Sequence, residues 1–244
     1  MADSLAIPAR FNGPPDSGHG GYSAGLAASL VEGPAQVALR APPPLETPFA
    51  VDRRDDGSVA LLDGDRVVLE ARAATVDVDV PDPVSVEDAK AAEADSPFLD
   101  DSHPFPTCFA CGPRRSEGDG LRLFAGRVAG RDLFAAAWTP AAEFAADGAR
   151  VDPLYVWTAL DCPSSAPAMS GATIVLASLT AEVRAPVKAG EPHVIGSWRI
   201  ERDGRKSLSG VALWDADGRV CAAGRALWIE LQDTGTDPFL AQSK

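Results

Sequence analysis

Two distant stretches carry residue types that can act on a carbonyl group. His19, Gly20 and Gly21 open a run of small residues, and Asp161 lies late in a second apolar segment. Backbone N–H groups at a helix start have no partner inside the helix, and glycine lets a carbonyl oxygen approach them closely. A carboxylate can take a proton from an attacking water. We therefore predict that Asp161 and His19 are catalytic and that Gly20 and Gly21 bind the substrate.

Both polar residues also have a structural interpretation. The helix dipole disfavours a negative charge late in a helix, which favours a functional reason for Asp161. The same residue would also simply end a helix before Pro163. His19 would orient a substrate or exchange a proton, or it would only form the capping turn of the helix that follows.

A second cluster of candidate ligands is the pair Cys108 and Cys111, whose spacing is that of half a zinc site. The other candidates for its completion are His103, Cys162 and Cys221, and the sequence has no second pair with this spacing. We interpret Cys108 and Cys111 as small buried side chains that pin their segment to the body of the protein. We predict no metal and no cofactor.

The composition restricts the class of protein that holds these residues. The chain has 244 residues, a formal net charge of −13 and 45% hydrophobic residues, which suits two domains of about 100–150 residues each. The acidic excess argues against nucleic acid and anionic membranes as partners. Four cysteines and the absence of a long apolar run predict a cytoplasmic protein without a membrane span.

The chain divides at a segment rich in Pro and Asp. We predict a first unit, an inter-domain linker that holds the two cysteines, a second unit and a tail, at residues 1–80, 81–120, 121–232 and 233–244. In the linker only residues 85–94 are predicted to be helical, with Ser85 as the N-cap.

The second unit has clear signals for its elements. Strands are predicted at 121–126 and 131–140, followed by a helix at 151–163 with Asp152 as N-cap and Pro153 at its first position. A long antiparallel meander completes the unit. Its hairpins and those of the first unit are closed by Asp-Gly turns at 56–57, 63–64, 203–204 and 217–218.

The two units repeat each other in sequence. Each has a helix, a strand that ends in Arg-Ala-Pro, hairpins and a last strand, and the two last strands share two short identical segments. The Arg-Ala-Pro segments are offset by 144 residues (184 − 40), and the Arg-Val pairs that begin the last strands are offset by 153 (219 − 66). The order of these features favours internal duplication of one α+β unit over chance. The matched segments are 40–42 and 184–186, 66–67 and 219–220, and 72–73 and 225–226.

The helix predicted at 20–31 consists almost entirely of small residues and carries no Lys or Glu. A surface helix would have a charged face, so this helix should be buried against a sheet that curls around it. Glycine and alanine permit that close approach.

A small-residue helix opened by Gly-Gly, wrapped by an antiparallel sheet and present twice, resembles the double hot-dog proteins. The similarity is to type II acyl-CoA thioesterases, and more loosely to the phenylacetate-pathway type. It covers most of 8–80 and 121–231. The resemblance implies an α+β fold of two tandem hot-dog units, each a central helix wrapped by a curved antiparallel sheet.

The resemblance also implies site residues. It places the catalytic aspartate on Asp161, the hydroxyl partner on Ser178, and the start of the substrate-binding helix on the Gly-Gly pair and Tyr22, where glutamine is common. The third catalytic member, a glutamine, falls on Ala226. The Asp-His pair that usually follows the hydroxyl is replaced by Thr180-Ala181.

Three functions remain open at this point. The first is hydrolysis of an acyl-CoA thioester. The second is binding of acyl-CoA or acyl carriers without catalysis, which the missing glutamine favours. The third is a hydratase or dehydratase, which would need an Asp and a His paired in one cavity. Assembly into a homo-oligomer is compatible with all three. Five cations are candidates for coenzyme A phosphates or form a solvated charged face: Arg114, Arg115, Arg122, Arg184 and Lys188.

Overall fold

The computed structural model describes residues 5–232, so the predicted tail at 233–244 lies outside the described residues. Within this range a single antiparallel sheet of ten strands packs against three α-helices. The helices are α1 (Gly20–Ala28), α2 (Val86–Glu93) and α3 (Pro153–Ser165). The strands are β1 (Ala35–Leu39), β2 (Ala50–Arg53), β3 (Val59–Asp63), β4 (Arg66–Ala73), β5 (Gly126–Arg127), β6 (Phe134–Trp138), β7 (Ile174–Val183), β8 (His193–Asp203), β9 (Lys206–Asp215) and β10 (Val220–Glu230).

The strand order is β2-β3-β4-β1-β7-β10-β9-β8-β6-β5, so the first and second halves of the chain meet at the centre of one sheet. There β1 and β7 pair antiparallel, with Val37 opposite Leu179. Each half has the same local pattern, because the strand after the central helix pairs with the last strand of its half. A mixed fold with a large antiparallel sheet, as predicted, is confirmed.

The sheet buries both of its faces along the second half. Side chains alternate between the faces, so Ala136 and Leu213 belong to the main core while their neighbours Ala135 and Ala212 belong to a smaller one. The main core lies under α1 and α3, and the smaller core lies under α2. The two central helices therefore share one face of the sheet.

The small residues of α1 permit a close contact with α3 as well as with the sheet. A Cβ atom on Gly21 would lie 2.7 Å from the Trp157 carbonyl oxygen, and one on Gly25 would lie 3.1 Å from the Leu154 carbonyl oxygen. Later residues of α1 meet earlier residues of α3, so the two helices run antiparallel. The N-terminus of α1 therefore lies beside the C-terminal half of α3.

Local signals set the helix starts as predicted. The Asp152 carboxylate accepts a hydrogen bond from the Leu154 N–H at 2.9 Å, and Pro153 begins α3. The Ser85 hydroxyl accepts one from the Asp88 N–H at 3.0 Å at the start of α2. The prediction for the first helix extended it to residue 31, but α1 ends at Ala28.

The strand predicted at 121–126 is wrong except for its last residue, which begins β5. The Leu121 and Leu123 N–H groups donate instead to the carbonyl oxygens of Phe109 and Ala110, at 2.9 and 2.8 Å. The alternating apolar residues are buried against the turn that carries Cys108 and Cys111. This turn is thus packed between the start of the chain and the second half.

The helices of residues 5–232 were compared with the length and hydropathy of a membrane span. None of the helices there combines the length and the apolar character that a span of the bilayer requires. The cytoplasmic location stays a prediction.

Candidate functional site

Asp161 lies at the N-terminus of α1 although it belongs to α3. The Gly21 N–H donates to its Oδ2 atom at 2.6 Å, across 140 residues of sequence. The side chain is almost completely buried, and its Oδ1 atom has no hydrogen-bond partner among the described residues. A buried acceptor without a partner is costly, so a hydrogen bond from a ligand or a water would stabilise Oδ1.

His19 is both the N-cap of α1 and a neighbour of Asp161. Its Nδ1 atom accepts a hydrogen bond from the Tyr22 N–H at 3.2 Å, which leaves the proton of the neutral ring on Nε2. That Nε2 atom lies 3.3 Å from Asp161 Oδ2. The ring is 1% exposed, so His19 is held beside the buried carboxylate and can orient it.

The environment of Asp161 changes its acidity. Burial raises its pKa to about 6, and the lowering effects of His19 and of the Gly21 N–H only partly oppose this. A group of this kind beside a helix N-terminus is a common feature of catalytic sites.

A cavity of about 440 Å³ opens onto this carboxylate. Its volume is in the range of small-molecule sites, which are mainly apolar with a few polar groups. His19, Gly20 and Asp161 form the polar end. The apolar wall consists of Leu39, Phe98, Phe105, Met169, Ile174, Leu176 and Trp228.

Three of the four cysteines lie beside the same polar end, and all four are free thiols within residues 5–232. Cys162 Sγ is 3.2 Å from His19 Nε2 and 3.6 Å from Cys108 Sγ. Cys111 Sγ is 3.4 Å from His103 Nε2. Each of these residues is a candidate from the sequence, but no local pattern predicts that Cys162 and His19 meet the Cys108 turn.

The Gly-Gly pair and Tyr22 have separate places. Gly20 lines the cavity, and as the first residue of α1 it presents an N–H without an intrahelical partner. Tyr22 is absent from the described lining of the cavity. Its ring stacks on that of Phe11, with centroids 4.1 Å apart, so the geometry favours a packing role over contact with substrate.

Ser178 is not brought to Asp161. It pairs with Ala38, which pairs with Glu70 in the next strand, so the three share one face of the sheet. Glu70 forms ion pairs there with partly exposed arginines. Ser178 is also absent from the described cavity lining. Ala226 is fully buried, two residues from Trp228 of the cavity wall.

Two of the cations considered for nucleotide phosphates form ion pairs with neighbouring carboxylates. Arg184 pairs with Glu182 at 3.0 Å, and Lys188 pairs with Glu191 at 3.1 Å. Among the described residues that line the cavity, Arg40 is the only Arg or Lys. The geometry thus favours the interpretation of a solvated charged surface for Arg184 and Lys188.

Comparison with known proteins identifies the fold. The chain matches a tesB protein of Mycobacterium avium subsp. paratuberculosis with 13% identity and a TM-score of 0.58, over 93% of this chain and 91% of that one. It matches an acyl-CoA thioesterase II of Mycobacterium marinum with 14% identity and a TM-score of 0.57, over 88% and 90% of the two chains. A partial match covers 46% of this chain and 55% of a thioesterase superfamily protein, with a TM-score of 0.41.

The chain therefore has the fold of the thioesterase II structures, and the predicted resemblance to double hot-dog thioesterases is confirmed at the level of the fold. No protein family and no curated protein matches the sequence.

Proposed function

We propose that the protein hydrolyses an acyl thioester, with Asp161 as the general base. The observation that carries this proposal is the buried Asp161 carboxylate, which lines the polar end of a largely apolar cavity and has an Oδ1 atom without a partner among the described residues. An acyl chain would occupy the apolar wall. We take coenzyme A as the thiol carrier because one neighbour of the same fold is an acyl-CoA thioesterase II.

The geometry supports a simple sequence of steps. Oδ2 is held by the Gly21 N–H, so Oδ1 is the oxygen that would accept a proton from water. The water oxygen attacks the thioester carbon while the Gly20 N–H stabilises the negative charge on the carbonyl oxygen. The C–S bond then breaks, and the proton held by Asp161 passes to the leaving thiolate, which gives a carboxylic acid and a free thiol.

The test is the release of free thiol from acyl-CoAs of increasing chain length, from acetyl to palmitoyl. We expect Asp161→Asn to lower kcat by roughly 10²–10⁴-fold, the usual contribution of a general base. Asp152→Asn is the matched control, because asparagine also caps helices well and should leave the rate within about twofold. A wild-type protein that cleaves no acyl-CoA in this panel would overturn the proposal.

A second candidate function is hydration or dehydration of an acyl thioester. The observation that favours it is the contact of His19 with Asp161 at 3.3 Å, a pair that was not anticipated from the sequence. The assay is the change in absorbance of an enoyl-CoA with the wild-type protein. A change in enoyl-CoA absorbance without release of thiol would favour this candidate over hydrolysis.

A third candidate is binding of an acyl thioester without turnover. Ala226 in place of a glutamine and the position of Ser178 away from the cavity favour it. Calorimetry that measures tight binding of an acyl-CoA, with no turnover in either assay, would select this candidate.

We also infer that the chain contains two copies of one unit. Residues that lead into α1 and α3 and begin these helices correspond at a constant offset of 133. Phe11 matches Phe144, and Tyr22 matches Tyr155. The His19 N–H donates to the Phe11 carbonyl oxygen at 2.8 Å, and the Asp152 N–H donates to the Phe144 carbonyl oxygen at 2.9 Å.

The strand ends also correspond, at the sequence offsets of 144 and 153. The Arg40 N–H donates to the Val68 carbonyl oxygen at 2.8 Å, and the Arg184 N–H donates to the Cys221 carbonyl oxygen at 2.7 Å. The unit boundaries near 80 and 121 are part of this proposal. An experimental structure in which the two halves do not superimpose would contradict it.

A further inference from the structure

We propose that Cys108, Cys111, Cys162 and His19 bind one zinc ion. The proposal does not rest on the proposed hydrolysis, although all four residues also line the cavity beside Asp161. Three segments that are distant in sequence contribute to the zinc site, namely the start of α1, the turn at 108–111 and the C-terminal half of α3. All four side chains are buried, and none of the three cysteines forms a disulfide in the described structure.

The distances are close to those of a tetrahedral zinc site. Zn–S bonds of about 2.3 Å and Zn–N bonds of about 2.1 Å place neighbouring ligand atoms roughly 3.6–3.8 Å apart. Cys108 Sγ and Cys162 Sγ are 3.6 Å apart, and His19 Nε2 is 3.2 Å from Cys162 Sγ. The ligand atoms of these three residues all lie within 4.8 Å of one another. We propose Cys111 as the fourth ligand because it shares the Cys-x-x-Cys turn with Cys108, and its thiol would move toward the other three ligands on binding the ion.

The backbone of the Cys108 turn is shaped to present two thiols together. The Gly112 N–H donates to the Cys108 carbonyl oxygen at 2.9 Å. A Cβ atom on Gly112 would lie 2.5 Å from that oxygen, so only glycine fits there. A tight turn that contains Cys-x-x-Cys is typical of half of a zinc site, and Cys162 and His19 supply the other half.

His103 supports the site from outside. Its Nδ1 atom accepts a hydrogen bond from the Phe105 N–H at 3.0 Å, so its Nε2 atom carries the proton and can donate to the Cys111 sulfur at 3.4 Å. Donors of this kind commonly stabilise and orient the ligands of a metal.

Binding of zinc would change the hydrogen bonding of His19. In the metal-free protein Nδ1 accepts from the Tyr22 N–H, and Nε2 carries the proton. A zinc ion on Nε2 would displace that proton, and the neutral ring would then carry its proton on Nδ1. The capping bond, which is long at 3.2 Å, would be lost. The three thiols would also release their protons on binding.

With four protein ligands the coordination is complete, so we assign the ion a structural role. It would join the start of α1 and the C-terminal half of α3 to the Cys108 turn. Its presence does not depend on which reaction the cavity supports.

The experiment measures metal in the purified full-length chain by mass spectrometry, and then follows Co²⁺ binding after removal of zinc with a chelator. We expect about one zinc per chain and the thiolate-to-Co²⁺ absorption of a tetrahedral site. Cys108→Ser and Cys162→Ser should lose both signals. Cys221→Ser is the matched control, since Cys221 is also a buried free thiol but lies on β10.

Three results would overturn the proposal: wild-type protein that takes up neither zinc nor Co²⁺, equal metal loss in the Cys221→Ser control, or a disulfide within the cluster in freshly purified protein. The wild-type measurement stands even where a cysteine variant fails to fold. Asp161→Asn should keep its zinc, so failure of the hydrolysis proposal and failure of the zinc proposal can be distinguished.

Discussion

Arg10 and Glu143 form a bidentate ion pair, with Nη1 to Oε2 at 3.0 Å and Nη2 to Oε1 at 2.9 Å. Each is the middle residue of a short 3-10 turn, and the two turns lead into α1 and α3. The pair therefore connects the entrances of the two central helices. Because the positions of these helices determine the distance from Gly21 to Asp161, we expect the ion pair to support the geometry of the site.

Removal of either partner should destabilise the protein modestly. Both side chains are partly exposed, so we expect Arg10→Ala and Glu143→Ala each to lower the free energy of unfolding by about 0.5–1 kcal/mol. Urea unfolding of both single variants and of the double variant measures the coupling. Effects that add independently in the double variant would show that the pair contributes no interaction energy.

Gly20 and Gly21 should respond differently to alanine. A Cβ atom on Gly21 would meet the Trp157 carbonyl oxygen at 2.7 Å, so Gly21→Ala should separate the helices and cost about 1–3 kcal/mol of stability. A Cβ atom on Gly20 would meet Asp161 Oδ2 at 2.9 Å, which is the end of a side chain.

We therefore expect Gly20→Ala to lower the rate of hydrolysis with a smaller loss of stability. Thermal unfolding and the thiol-release assay, run on both variants, separate the two effects. Equal losses of stability in the two variants would show that the contact of Gly21 with the Trp157 carbonyl oxygen does not determine the cost of the substitution.

Ser178→Ala should leave hydrolysis within about twofold of wild type, because Ser178 lies on the face of the sheet that Glu70 occupies. The measurement is kcat/KM for the best acyl-CoA. A loss of 100-fold or more would show that the hydroxyl acts on the substrate, as the resemblance to thioesterases implies.

Removal of zinc should lower the melting temperature of the wild-type protein. A ligand that binds only the folded state stabilises it by mass action, and the proposed ion joins three segments. Differential scanning calorimetry with a chelator, and again after zinc is restored, checks this. The Cys162→Ser variant should show no response to either addition, whereas the Cys221→Ser variant should respond like wild type.

Local features of this fold were predictable from the sequence. Asp152 with Pro153, and Ser85 with its following acidic residue, cap their helices as expected, because capping depends on neighbouring residues alone. Asp-Gly turns likewise place Gly57 and Gly204 at positive φ.

The assembly of the site was less predictable. Each candidate residue was named, but the contacts of His19 with Asp161 and Cys162 join positions more than a hundred residues apart. No local pattern encodes such contacts. Leu121 and Leu123 show the same limit, since tertiary hydrogen bonds to the Cys108 turn replaced the strand that their alternation predicts.

Because α1 and α3 belong to one polypeptide, their sequences can diverge independently during evolution. In the duplication that we propose, position 28 of α1 is the counterpart of position 161 at the offset of 133, and it is alanine where α3 carries aspartate. In an assembly of identical subunits a substitution alters every copy at once. A covalently linked pair escapes that constraint, so one half could acquire the carboxylate while the other specialised as its scaffold.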